Sequence, residues 1–107
     1  MKLVIAIVNR DDASAVTQTL TKNGFSSTRL STTGGFLMAG NVTLLIGVDE
    51  EKVQTVIDLI HKESHSRKQM IPTTSGLSSG YYTSMPVEVT VGGATIFVVD
   101  IERFERL

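Results

Sequence analysis

The chain has 107 residues, of which 41% are apolar and 20% are charged, and its formal net charge is −1. A chain of this length is expected to form one domain, residues 1–107, and to bury roughly 65% of the surface that its unfolded form exposes. With 10 Lys and Arg against 11 Asp and Glu and no cluster of basic residues, the sequence excludes the basic surface that binds nucleic-acid polymers such as DNA or RNA.

The composition also bears on the compartment and on assembly. The absence of Cys excludes disulfides, thiolate zinc sites and a Cys nucleophile, and it favours a cytoplasmic protein. The longest apolar run, Leu3–Val8, is far shorter than the ~20 residues of a membrane-spanning helix, so no membrane span is expected. Because hydroxyl residues are many and large aromatic residues few, we expect a small core that an oligomer completes.

The first elements along the chain are a strand and a helix. The aliphatic run Leu3–Val8 predicts a strand that is covered on both faces. Asp11 and Asp12 stand at the predicted N-terminus of the helix, where acidic side chains are favourable. Asn23-Gly24 is typical of a helix C-terminus. Between these two ends, apolar residues recur at helical spacing at Ala13, Val16 and Leu20.

Two strands and a second helix follow. The partial alternation of Phe25–Ser31 predicts a second strand, and the aliphatic Val42–Val48 predicts a third. A helix is predicted from Asp49, an N-cap type of residue, and should fray near Ser64 to Ser66. Its apolar stripe has the spacing i, i+3, i+4, i+7 and consists of Val53, Val56, Ile57 and Ile60.

The last part of the chain combines a loop, a hairpin and a tail. Arg67–Met85 shows no sustained period, which predicts one long loop, and a loop of this length usually binds something or is disordered. Val87–Val91 and Ala94–Val99 flank Gly92-Gly93 and predict a β-hairpin. Asp100–Leu107 is predicted to be a charged, helical tail.

This order of elements predicts an α+β fold. Strand, helix, strand, strand, helix and a final hairpin form the split βαβ arrangement of ferredoxin-like folds, an antiparallel sheet with both helices on one face. The second face then carries apolar side chains that a single chain leaves in water. We therefore predict that the protein self-associates through that face.

Thr32–Leu37 is the segment that points most directly to a ligand. Its two hydroxyls and two glycines allow backbone N–H groups to turn toward a phosphate or carboxylate, since Gly accepts positive φ and lets a ligand approach closely. Phe36 and Leu37 offer an apolar wall for a base. A plain turn between strands, with both apolar residues in the core, explains the same pattern.

His61 and His65 lie at i, i+4 on the second predicted helix, a spacing that places both imidazoles on one face. A metal site needs a third ligand, and Glu63 lies on the wrong side of the helix. Two histidines in the last turn of a helix more often lie in water, where they interact favourably with the negative end of the helix dipole. No metal site is predicted.

The sequence predicts no enzymatic activity. It contains neither a G-x-S-x-G elbow nor a phosphate-binding loop of the type G-x-x-x-x-G-K-[ST]. The carboxylates Asp11, Asp12, Glu50 and Glu51 stand at predicted helix starts and do not form a converging pair. No cofactor is expected.

A wider pattern surrounds Thr32–Leu37 and runs along the whole chain. It comprises Ala39-Gly40-Asn41, Thr43, Gly47, Pro86–Val89 and Val91–Thr95. In these segments the chain resembles the PII-like cyclic-di-AMP receptor family, the PstA-like proteins of Gram-positive bacteria. The resemblance implies a PII-like, ferredoxin-like fold assembled into a homotrimer, with the cyclic dinucleotide in clefts between subunits and two loops that change conformation on binding. The longer of these loops would be Arg67–Met85.

The resemblance also implies a set of ligand-binding residues that this sequence retains. They are Thr28, Gly35, Phe36, Leu37, Asn41 and Gly47. Hydroxyl groups and backbone N–H donors suit phosphate, while apolar walls and an Asn amide suit adenine.

Four further positions depart from the family pattern. Gly24 and Ser26 stand where nucleotide-binding members usually carry Asn and Arg, so a side-chain amide and a phosphate-facing guanidinium are missing. Each lost charge-assisted contact costs about 1.5–3 kcal/mol. Arg29 lies nearby on the predicted strand, and Arg106, where Gln is usual, is a candidate contact with a phosphate at the neighbouring subunit.

The leading hypothesis is a cytoplasmic, non-enzymatic signalling protein that binds cyclic-di-AMP, or a related nucleotide, and acts on an unidentified protein partner through its loops. Gly24 and Ser26 motivate an alternative, a trimeric interaction module that has lost or changed its nucleotide. His61 and His65 motivate another, a metal-binding trimer of the same fold.

Overall fold

The computed structural model describes residues 1–30, 40–72 and 86–107. A short 3-10 helix, Glu50–Lys52, precedes the second α-helix. The strands and α-helices are, in chain order, β1 (Lys2–Asn9), α1 (Arg10–Lys22), β2 (Thr28–Leu30), β3 (Asn41–Val48), α2 (Val53–Ser64), β4 (Arg67–Pro72), β5 (Pro86–Val91) and β6 (Ala94–Asp100).

The main sheet has four strands in the order β2-β3-β1-β6, and every neighbouring pair is antiparallel. The most aliphatic strand, β1, takes a central place and pairs with β3 along its whole length, from Lys2 opposite Val48 to Asn9 opposite Asn41. Together with the two helices this makes a small α+β fold, compatible with the predicted ferredoxin-like, PII-like architecture.

One face of this sheet packs against both helices. We call it the closed face; it carries the even-numbered residues of β1 and β3, which alternate with half-buried or exposed odd-numbered ones. The helices contribute their apolar stripes to the same cluster because 3.6-residue periodicity brings every third or fourth side chain to one side. The buried core consists of Val4, Ala6, Val8, Ala13, Val16, Leu20, Val42, Leu44, Ile46, Val48, Val56 and Ile60.

Among the described residues, no helix packs on the other face of the main sheet. This open face carries the odd-numbered residues of β1, β3 and β6, among them Leu3, Ile5 and Leu45, which stay half-buried. Phe97 and Val99 on the edge strand are 52% and 44% exposed. The predicted uncovered apolar face is therefore present.

Helix α1 begins and ends at residues that the sequence analysis singled out. The Asn9 side chain accepts a hydrogen bond of 2.8 Å from the backbone N–H of Asp11, as an N-cap does. At the other end Asn23 is the C-cap, and Gly24 follows with φ +85°. Among the helices of the described residues, none is long and apolar enough to span a membrane.

The prediction of one loop over Arg67–Met85 is wrong for its first part. Arg67–Pro72 forms β4, which pairs with β5 as a separate two-stranded sheet, from Arg67 opposite Val91 to Pro72 opposite Pro86. We call this two-stranded sheet the arm. The sequence of β4 lacks a period, and its pairing with β5 defines it as a strand. Residues 73–85 of the predicted loop lie outside the described residues.

The predicted hairpin over Gly92-Gly93 is also wrong. Its first strand, β5, pairs with β4 in the arm, whereas its second strand, β6, pairs with β1 in the main sheet. Both glycines have φ +82°, and they pass the chain from one sheet to the other. The aliphatic β1 offers β6 a partner of seven residue pairs, which outweighs a local turn.

Two smaller boundaries differ from prediction. Among the described residues of the predicted strand Phe25–Ser31, the strand covers Thr28–Leu30, and Ser31 lies outside the described residues. Phe25 instead donates its N–H to Leu20 O at the end of α1 and packs on the core. The tail is not helical: β6 continues to Asp100, and residues 101–107 form no regular element.

Candidate functional site

The retained ligand residues that the structure describes, Thr28, Asn41 and Gly47, lie on the open face. Thr28 is opposite Leu45, and Asn41 and Gly47 have the same odd parity on β3 as Leu45. Side chains two residues apart on a strand share a face, so strand pairing brings together three positions that are distant in sequence. Gly35, Phe36 and Leu37, with the rest of Thr32–Leu37, lie outside the described residues.

These positions form a line along β3 and do not form a single cluster. Thr28 is diagonal to Gly47 across the β2–β3 ladder. Asn41 is six residues from Gly47 on the same strand, which is about 20 Å at ~3.3 Å per residue. The candidate site therefore has a Gly47 end, next to Thr28, and an Asn41 end at the opposite end of β3.

The character of the open face changes between these ends. Near the Gly47 end one row crosses all four strands and is mostly apolar: Thr28, Leu45, Ile5 and Phe97. The next row toward the Asn41 end carries two hydroxyls around Ile7: Leu30, Thr43, Ile7 and Thr95. The apolar half is suited to a protein contact and the polar half to a hydrogen-bonding ligand.

A cavity of about 320 Å³ opens at the Asn41 end. Its lining residues come from three strands and the link before β6: Ile7, Asn41, Gly92, Gly93, Ala94 and Thr95. The Asn41 amide and the Thr95 hydroxyl supply hydrogen-bonding groups. The two glycines present backbone without side chains, which allows a ligand to approach closely.

Sequence reasoning missed Gly92, Gly93 and Thr95 as site residues because it assigned the glycines to a hairpin turn. Their signal was present in the sequence. A hairpin of type I′ or II′ does not require the hydroxyl and small residues of Ala94-Thr95 that follow the glycines, whereas a ligand site favours a run of small and hydroxyl residues.

The Gly47 end carries a cluster of charges. The Lys2 ammonium donates a hydrogen bond to Asp100 Oδ1, and its Nζ lies 3.7 Å from Glu50 Oε1. This hydrogen bond raises the pKa of Lys2 and, together with the positive charge, lowers the pKa of Asp100. The pair joins β1 to β6 at the point where the C-terminal segment leaves the sheet.

The whole chain, residues 1–107, matches the model of a family described as cyclic-di-AMP receptor. The chain belongs to this cyclic-di-AMP receptor family. It is also similar to a crystal structure of a functionally unknown protein from Pediococcus pentosaceus, with 42% sequence identity and a TM-score of 0.75 over 99% of this chain and 96% of that one. The family suggested by the sequence motifs is thus confirmed.

In this member of the family, Gly24 and Ser26 are exposed residues between α1 and β2. Gly24 is exposed, and a Cβ built on it meets nothing within 4 Å among the described residues. Its φ of +85° is a left-handed conformation that Asn tolerates better than most residues. Both Gly and Asn can therefore end α1 here, so the departure at this position leaves the helix stop intact.

Arg29 and Arg106 are placed differently from the other candidates. Arg29 is opposite Leu44, a residue of the closed face, so it shares a face with the core and not with Thr28. Arg106 is exposed in the C-terminal segment. This segment leaves from the Gly47 end, where the Ile101 side chain lies 3.8 Å from a Cβ built on Gly47.

His61 and His65 are both exposed at the end of α2, where His65 is the C-cap. Within residues 1–30, 40–72 and 86–107 there is no group of three or more His, Cys, Asp or Glu side chains that could hold a metal ion. The third ligand that the metal hypothesis requires is therefore not found among them.

Proposed function

We propose that this member of the cyclic-di-AMP receptor family binds cyclic-di-AMP between the subunits of a homotrimer. In this proposal it is a cytoplasmic regulator without enzymatic activity, formed by one domain over residues 1–107. Ligand binding rearranges the loops and passes the signal to a downstream protein. The observation that carries the proposal is that Thr28, Asn41 and Gly47 lie along the same, open face of the sheet.

The chemistry of this face fits the ligand. Cyclic-di-AMP consists of two adenosines joined through two phosphodiesters, so its site needs recognition groups at some distance from one another. The Asn41 amide both donates and accepts, as the edge of adenine requires, and the Thr28 hydroxyl and glycine N–H groups suit a phosphate. We assign Gly35, Phe36 and Leu37 to the same site. Such donors leave little trace in the net charge of −1.

The apolar half of the open face supports the trimer. Leu3, Ile5, Phe97 and Val99 form one contiguous patch across β1 and β6, because Leu3 is opposite Val99 and Ile5 opposite Phe97. Large exposed apolar patches mark protein contacts. Packing of equivalent patches about a threefold axis would bury these side chains and place the Asn41 end of one subunit near its neighbour.

Calorimetric titration of cyclic-di-AMP into the protein, after its mass in solution has been measured, tests the proposal. We expect saturable heat with one site per subunit and no heat with cyclic-di-GMP at the same concentration. N41A should weaken binding about tenfold, as loss of one buried hydrogen-bonding group does. Q18A, which removes an exposed amide on α1, should bind like the wild type. No heat up to high micromolar nucleotide would refute the proposal.

Gly24 and Ser26 favour a second candidate, a trimeric module that has lost or changed its nucleotide. The double variant G24N/S26R tests it directly, since Gly24 is surrounded by open space and both positions are exposed. If the wild type does not bind cyclic-di-AMP and the variant does, the residues at these two positions account for the loss of binding. If the wild type binds, we expect the variant to bind about tenfold or more tightly.

A further inference from the structure

The Asp12 carboxylate has a role that its position in the first turn of α1 does not explain. Its neighbour Asp11 is exposed, as a helix-start charge normally is, whereas Asp12 is only 7% exposed. Its two oxygens accept from Arg67 at the start of β4: Nη2 lies 2.9 Å from Oδ1 and Nη1 3.3 Å from Oδ2. A buried carboxylate needs such a partner, and the paired geometry fixes the direction of the guanidinium.

Arg67 is the first residue of β4 and lies opposite Val91, the last residue of β5. We call this end of the two-stranded sheet the base of the arm. The Arg67 Nη1 also donates to His65 O at 3.2 Å. One guanidinium therefore joins the start of α1, the end of α2 and the base of the arm. The other ion pair of the arm, Lys68 with Glu88, has a longer separation of 3.8 Å and links only its two strands.

Gly92 packs directly against this guanidinium. A Cβ built on Gly92 would lie 2.5 Å from Arg67 Nη1 and 2.8 Å from His65 O, and its φ is +82°. Both the close approach and the backbone conformation require Gly at this position. Gly92 and Gly93 also line the cavity that contains Asn41, so Gly92 both faces Arg67 and forms part of the cavity wall.

We infer that the Asp12–Arg67 ion pair is a positioning device: it fixes the base of the arm on α1 and thereby sets the Gly92-Gly93 wall of the cavity. This inference rests on the proposed function in naming cyclic-di-AMP as the occupant of that cavity. Because coupling between two sites is reciprocal, a ligand that contacts the glycine wall favours one position of the arm. The arm in turn sets the affinity for the ligand.

Amide hydrogen exchange in the ligand-free protein tests the positioning without any ligand. D12N keeps the shape of the side chain and leaves Arg67, which is partly exposed, accessible to water. We expect the amides of β4, β5 and Gly92-Gly93 to exchange on the order of tenfold faster, while those of β1 and β3 stay protected as proof of folding. R67K retains the positive charge without the paired donors of the guanidinium, and its exchange rates should lie between those of the wild type and D12N. K68Q, on the same arm, is the matched control and should exchange like the wild type.

Titration of cyclic-di-AMP into the same variants tests the coupling to the cavity. D12N should weaken binding about fivefold or more, R67K less, and K68Q not at all. Unchanged exchange of the arm in both D12N and R67K would overturn the inference, whether or not the nucleotide binds. Faster exchange with unchanged affinity would overturn the coupling. If the wild type does not bind, the proposed function fails, and the exchange result still decides the positioning.

Discussion

The two faces of the main sheet are built from the same kinds of residue and have opposite surroundings. On β1, Val4 and Ala6 are fully buried under the helices, while Leu3 and Ile5 beside them remain partly in water. The continuous aliphatic run predicts burial on both sides, and one chain satisfies only one of them. In the proposed trimer, this strand has its own helices on one side and neighbouring subunits on the other.

The largest expected effect comes from damaging the closed face. L44A removes a fully buried side chain and should lower the free energy of unfolding by about 2–5 kcal/mol, since the cavity adds to the lost transfer energy. Urea denaturation measures this. L45A, the next residue on the same strand and half-buried on the open face, is the matched control. In protein dilute enough to be monomeric, a loss for L45A equal to that for L44A would contradict the assignment of the two faces.

Damage to the open face should change assembly and leave the fold intact. F97D places a charge in the apolar patch at a side chain that is 52% exposed in the single chain, so a monomer tolerates it and a subunit interface does not. Light scattering after gel filtration should give the mass of a single chain, with an unchanged far-ultraviolet circular dichroism spectrum. V98T, on the opposite side of the same strand, should assemble as the wild type does. A trimer of F97D would locate the interface elsewhere.

The smallest expected effect concerns the Lys2–Asp100 ion pair, which links β1 to β6. Because the pKa of Asp100 is lowered from its unfolded-state value of 3.8, the charged carboxylate stabilises the protein at pH values above 3.8. This stabilisation is lost as the pH falls through the folded-state pKa. The raised pKa of Lys2 contributes stability below its unfolded value of 10.5 that is lost as the pH rises through the folded value. The pair should therefore stabilise the protein between these limits, and weakly, because it is exposed.

Melting temperatures of D100N measure this contribution. The variant should melt slightly below the wild type near pH 7, and the gap should close at acid pH and in 1 M salt, where exposed charges are screened. D49N, which changes an exposed cap residue that makes no side-chain capping bond, should show no such dependence. A gap of the same size at neutral and acid pH would exclude the charge interaction as its cause.

The elements of the closed face could be predicted from the sequence because each is defined by local periodicity. The aliphatic content of Val42–Val48 and the helical spacing of Ala13, Val16 and Leu20 identified β3 and α1 within a few residues of their ends. The arm was missed because Arg67–Pro72 has no period of its own and gains its conformation from β5, a partner distant in sequence.

The candidate site was predictable as residue types and not as an arrangement. The family motifs identified Asn41 and Thr28, but only strand register places Thr28 beside Gly47 and leaves Asn41 at the far end. From the sequence alone, Asp12 could serve as a helix-start charge or as an ion-pair partner. Nothing in its sequence neighbourhood indicates Arg67, which lies 55 residues away.

The central position of β1 has a consequence for synthesis on the ribosome. One of its edges pairs with β6, whose last residue, Asp100, lies opposite Lys2. The nascent chain must therefore keep that edge of an aliphatic strand unpaired until nearly all of the described sequence has emerged. Long-range pairing of this kind slows folding and exposes strand edges to aggregation. Such a chain is expected to depend on chaperones that hold nascent polypeptides more than a chain whose first strand pairs locally.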